Sequence, residues 1–126
     1  KSWRLNRAGS NTAEVARRAL SSRLRPTAVI AATDHEAVDV FRAAGELGLE
    51  IPGDLSVVGF ADLDFAATMA PPLTTVRQRA GEIGTRAAMM ILDRIEGNTA
   101  GEPSIDVRID ADLLFRRSTG PVKPRR

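Results

Sequence analysis

Two short stretches of the chain are apolar almost throughout: TAVIAA at 27–32 and LSVVGF at 55–60. The first is bounded by Pro26 and Asp34, and the second begins after EIPGD and stops at a pair of aspartates, Asp62 and Asp64. Such brief continuous runs read as strands buried on both faces. Between them, Ala37, Val38, Phe41, Ala44 and Leu47 recur at helical spacing over residues 34–47, and Gly48 supplies the left-handed stop. Strand, helix, strand with both strands apolar defines a βαβ unit with parallel strands and a right-handed crossover. The fold class is therefore α/β, a parallel βαβ sheet with flanking helices.

The pattern on either side adds further elements. Residues 11–24 read as a helix with Val15, Ala16, Ala19 and Leu20 on one stripe, Asn11 and Glu14 placed for a capping box, and Arg25-Pro26 ending it. Pro71-Pro72 forbids both helix and central strand, so the segment ADLDFAATMAPPL is a loop, followed by a short extended TTV. A helix over 81–95 has Ile83, Ala87, Met90, Ile91 and Ile95 on its buried side and ends at Gly97-Asn98. The stretch SIDVRIDADLLF alternates and then turns apolar, which predicts two late strands. No internal repeat is present.

Composition narrows the possibilities. With 126 residues, 43% hydrophobic and 27% charged, the chain is the size of one ordinary globular domain. No apolar run approaches the roughly 18 residues that cross a bilayer. The opening KSWRLNR has no apolar core behind its basic residues and is not expected to be a secretory signal; lacking Met, it is expected to belong to a longer protein. The absence of cysteine excludes disulfides and thiolate chemistry and is compatible with a cytoplasmic setting. Charge is unevenly distributed: the last eleven residues carry +5 of a total of +2, which leaves −3 for residues 1–115. The basic end, 120–126, reads as a solvated tail rather than a nucleic-acid face.

In parallel sheets, ligands sit beyond the carboxyl ends of the strands. Two such ends carry polar groups here, Thr33-Asp34-His35 and Asp62 with Asp64, and their loops are expected to lie side by side. Asp34 has two readings, a helix cap or a ligand contact. A strand ending in D-x-D resembles haloacid-dehalogenase-type phosphotransferases, with Asp62 and Asp64 as nucleophile and acid/base. Against this, Ala66 stands where that motif has Thr or Val, and no lysine lies between Lys1 and Lys123. No dinucleotide or nucleotide phosphate loop occurs, and the single histidine, His35, cannot anchor a zinc triad, so no cofactor or metal is expected. TAEVARRALSS could open a helix-turn-helix, but Pro26 and a strand follow instead of a second helix.

Several segments, in order, resemble the C-terminal part of transcription regulators of the lactose/galactose-repressor (LacI/GalR) family: RPTAVIAATD, LGLEIPGDLSVVGFADLD, PPLTTVRQ with EIGTRAAMMILDRIEG, and LLFRRST. The resemblance implies a two-lobed periplasmic-binding-protein-like sensor closing on a small effector, a homodimer, and operator DNA read by a helix-turn-helix that this chain lacks. It makes residues 1–119 the C-terminal portion of the sensor, with 74–97 crossing to the N-terminal lobe. It implies effector contacts at Thr33, Asp34, Asp62 and Gln78, and dimer contacts at Val38 and Met69. The position that commonly carries an effector-binding aspartate is Ala61 here, and this GF-small-D pattern is similar to members that sense sugar acids; the effector is expected to be a sugar or sugar acid. Asp62 is the expected ligand or hinge contact and Asp64 the solvated one. A periplasmic-type sugar-binding protein, which shares the fold, is the alternative.

Overall fold

The structure, a computed structural model, describes residues 12–97 and 106–121. Within them the elements run α1 (Thr12–Leu20), β1 (Ala28–Ile30), α2 (Asp34–Glu46), β2 (Ser56–Phe60), a short 3-10 turn (Asp64–Ala67), β3 (Thr74–Arg77), α3 (Ala80–Ile95) and β4 (Asp112–Leu114). The four strands form one sheet in the order β1-β2-β3-β4. β1 pairs with β2 and β2 with β3 in parallel, with Val29 opposite Val57 and Gly59 opposite Thr75. The expected βαβ unit is therefore present, and β3 continues it.

Two compact units emerge, one comprising the chain through Arg77 and again from Leu113, the other Gln78–Asp112. The first unit holds the core: Ala16 and Leu20 of α1, Ala37, Val40, Ala43 and Ala44 of α2, with Leu55, Val57, Ala66 and Leu73. Small residues on α1 and α2 let these helices approach closely. The buried stripe of α2 is rotated from the predicted one: Val40 and Ala43 are in, while Val38 is only half-buried and Leu47 exposed. α2 closes as its glycine predicts. Gly48 has φ +66°, its N–H donates to Gly45 O, and Leu49 N–H donates to Ala44 O, a paired C-terminal capping arrangement.

Four expectations are corrected. β1 is not buried on both faces: Val29 and Ala31 turn inward, whereas Ile30 is 81% exposed, because only the face turned to α1 and α2 is covered. No residue of α3 is buried, and Ile95 on its apolar side is 76% exposed. Its sequence is patterned for a partner surface that the described residues do not supply. The first helix stops at Leu20, four residues early, and turns lead to Pro26. Of the two late strands only β4 forms among the described residues. Asn11, Asn98, Ile105 and residues 122–126 lie outside the described residues.

The segment after β4 acts as a clamp on the sheet. Ser118, fully buried, donates its hydroxyl to Val57 O (2.6 Å) and accepts from Thr74 N–H (2.7 Å). Val57 N–H donates to Ser118 O, Arg117 N–H to Pro72 O, and Gly120 N–H to the Ser56 hydroxyl. Residues 117–120 thus fill the place beside β2 where β3 has not yet begun. Ser118→Ala strips two buried backbone groups of their partner and should cost about 2 kcal/mol in urea unfolding. A loss under about 0.5 kcal/mol would mean that the clamp holds through its backbone alone.

Candidate functional site

The polar ends predicted after β1 and β2 do lie side by side, and one carboxylate joins them. Asp34, 0% exposed, accepts Leu63 N–H at 2.7 Å through one oxygen and the Thr75 hydroxyl at 2.6 Å through the other. It therefore ties α2 to the β2 loop and to β3. It does not cap its helix, which corrects one of its two readings. Thr33 is the N-cap, in extended backbone, with its hydroxyl oxygen accepting Glu36 N–H at 3.3 Å, while Glu36 reaches back to Ala32 N–H. The cap goes to Thr33 because only a residue just outside the helix can turn its oxygen onto the third helical N–H.

Gly59 makes room for this arrangement. A Cβ at that position would stand 2.1 Å from an Asp34 oxygen and 2.8 Å from Leu73 Cδ2. The lone glycine in an aliphatic strand is thus the slot into which the Asp34 carboxylate fits.

Beyond Gly59 the backbone turns sharply, with φ +114° at Ala61 and +55° at Asp62. Positive φ in residues bearing a Cβ costs about 1–3 kcal/mol each and persists where surrounding bonds impose it. Here Ala61 N–H donates to Val76 O at 2.8 Å, and Asp62 is held from two sides. Arg116 Nη2 donates to one carboxylate oxygen at 2.6 Å and Arg77 Nε to the other at 2.8 Å. Arg116 also donates through Nη1 to Leu73 O, and its own N–H meets the Thr74 hydroxyl. The Asp62 side chain is 10% exposed, that of Arg77 53%.

Burial alone would raise the Asp62 carboxyl; the hydrogen bonds from Arg116 and Arg77, with their charges, outweigh it and hold the group below its ordinary 3.8. The ionised form therefore contributes stability that is complete above pH 3.8 and disappears as pH falls through the lower, folded value. Acid titration of the unfolding midpoint should show the full Asp62 contribution, unchanged, from neutrality to about pH 5 and its loss below. Asp62→Asn should be less stable at neutral pH and should lose that part of the acid dependence. An unchanged acid limb in the variant would contradict the assignment.

The remaining candidates are placed as follows. Asp64 is exposed at the start of the 3-10 turn, and His35, also exposed, meets Phe65 edge-to-face at 5.2 Å. Gln78 is exposed and begins the second unit. Val38 lies outside the core cluster, and Met69 packs against the core from its margin. An open apolar groove of about 530 Å³, lined by Phe41, Leu49, Ile51, Pro52 and Pro71 among others, contains none of the predicted ligand residues. It lies at the amino ends of the strands. Among the described residues no group of three or more potential metal ligands occurs. The two arginines, Thr75 and Gly59 were not singled out from sequence as site residues; Gly59 alone carried a readable signal, a glycine amid aliphatic residues.

Polar loops at the carboxyl ends of adjacent parallel strands are where α/β folds bind ligands, and the family comparison names one such fold. The model of the periplasmic binding protein-like domain matches residues 2–119. The chain is 36% identical over 99 residues to a lactose operon repressor of Rhizobium radiobacter, covering 79% of this chain and 85% of that protein. It is 38% identical to the HTH-type transcriptional repressor CytR of Escherichia coli K12, covering 75% of this chain and 27% of the repressor. A LacI family regulator from Bifidobacterium animalis subsp. lactis superposes with TM-score 0.78 at 32% identity, over 89% of this chain and 40% of that one. A LacI family regulator from Enterococcus faecium with bound ribose gives 0.74 at 30%, over 89% and 40%. The chain belongs to the LacI/GalR family of transcriptional regulators, as the C-terminal part of the periplasmic-binding-protein-like sensor. It spans about a quarter of CytR and two fifths of these solved chains.

Proposed function

We propose that this chain is the effector-sensing and dimerising portion of a cytoplasmic transcriptional regulator, binding a sugar or sugar acid to control operator DNA. The observation that carries this reading is the polar cluster where β1, β2 and β3 end, in which the Asp34 bonds to Leu63 and Thr75 keep the loops of Thr33 and Asp62 beside each other. Gln78 is a further effector contact that the family resemblance implies. Family membership supports the reading, as do regulators solved with bound ribose and with bound sucrose. Residues 74–97 make the crossing to the other lobe, 1–119 form the sensor portion and 120–126 a basic tail. Val38 and Met69, both outside the buried core, meet a second copy across a two-fold axis. DNA is reached through a helix-turn-helix outside this chain.

The mechanism is a population shift. An effector that binds one lobe arrangement better than another changes the equilibrium between DNA-binding states by that difference in affinity. No covalent step is involved, and the Asp62 carboxylate, held by two guanidinium groups, serves as a structural anchor. The test is operator binding by the intact protein, followed by fluorescence anisotropy across a panel of sugars and sugar acids. A compound that shifts the operator affinity and binds the protein supports the reading. Specific operator binding that none of the panel alters would contradict the effector assignment.

A further inference from the structure

Resting on the sensor reading, we infer that the effector carries an anionic oxygen group, a carboxylate or phosphate, and that Arg77 receives it. The carboxylates that would accept the hydroxyls of a neutral sugar already spend one hydrogen bond on each oxygen within the protein. Asp34 is fully buried, with both oxygens bonded to Leu63 N–H and the Thr75 hydroxyl. Asp62 has one oxygen on Arg116 and the other on Arg77. The third carboxylate of this region, Asp64, is exposed and screened by solvent.

Donors are what this end of the sheet has left. Asp62 is bonded to two guanidinium groups, Arg77 and Arg116, one on each oxygen. Arg116 commits Nη1 to Leu73 O and Nη2 to Asp62, and its side chain is 19% exposed. Arg77 commits only Nε; among the described residues its two Nη groups meet no acceptor, and the side chain is half-exposed. Arg116, the more buried of the two, shares the Asp62 charge with Arg77, so Asp62 does not neutralise both guanidinium groups. The Nε bond also fixes the plane of the guanidinium, so the fork is held in advance for the paired oxygens of a carboxylate or phosphate. The strained turn at Ala61 and Asp62 supports this by keeping the anchor in place.

Calorimetry on the intact protein tests the inference, using glucose against gluconate and glucose 6-phosphate, and galactose against galacturonate. At least one acid or phosphate is expected to bind about tenfold or more tightly than its neutral parent, with affinity falling as salt rises. Whether gluconate or the phosphate ester is preferred identifies the source of the anionic group. Arg77→Gln is expected to abolish the preference while changing affinity for the neutral parent less than about twofold, and Arg77→Lys to keep part of it. If Arg77→Gln fails to fold, the lysine variant carries the comparison, because it retains the charge without the fork. Neutral parents binding as well as their acids, or variants that weaken both alike, would overturn the role of Arg77 and leave the sensor intact. Binding of neither class, together with an operator affinity that no compound alters, would remove the sensor reading and this inference with it.

Discussion

Gly59→Ala should be the most destabilising small substitution in the first unit, lowering unfolding free energy by about 3–4 kcal/mol. The added methyl would occupy space 2.1 Å from an Asp34 oxygen and 2.8 Å from Leu73 Cδ2, so something must shift. β2 cannot easily withdraw, since it is paired on both sides. Leu73 is fully buried, and Asp34 can leave only by giving up two short hydrogen bonds. Overpacking costs about 1–3 kcal/mol, and a hydrogen bond to a charged group about 1.5–3. The measurement is the denaturant midpoint at unchanged slope. A cost under about 1 kcal/mol would show that Asp34 is not held as described.

The second large effect is expected at Asp34 itself. Asp34→Ala leaves Leu63 N–H and the Thr75 hydroxyl without their acceptor, and should cost about 3 kcal/mol. The two substitutions share one space, so they should not add. In the double variant the methyl at position 59 no longer meets a carboxylate, and the combined loss should fall short of the sum by at least about 1 kcal/mol. Full additivity would separate the slot from the latch. Because Leu63 follows the strained pair Ala61-Asp62, Asp34→Ala should also speed amide exchange at Leu63 more than in the core of α2.

The residue pattern disclosed the βαβ unit because buried parallel strands and an amphipathic crossover helix leave distinct periodicities. The same pattern failed where burial depends on what lies beyond the chain's own contacts. An apolar run such as TAVIAA is written for two covered faces, and Ile30 faces outward when only one is covered. Helix α3 was read correctly as a helix, since its spacing is local, yet none of its side chains is buried.

Around the candidate site, the side-by-side placement of the two polar loops was legible in the sequence, and the bonding within them only in part. Thr33 and Asp34 are adjacent, and both residue types accept hydrogen bonds, so composition could not say which caps the helix and which turns inward. That choice depends on Gly59, some two dozen residues away, and on Thr75 opposite it. The Asp62 partners were equally remote. Arg116 contributed to a recognisable segment, LLFRRST, but its aim at Asp62 follows from the clamp at Ser118, which no local periodicity encodes.

The clamp and the sheet order together have a consequence for how the chain is assembled. β3 leads out of the first unit, β4 leads back in, and the two are neighbours in the sheet. The second unit is thus spliced into the first like a clause between commas, with both punctuation marks on the same line. None of the residues of the Asp34 latch or the Ser118 clamp lies within that second unit. For protein engineering this junction is a natural port, where a foreign module could be inserted with both of its ends anchored in one sheet.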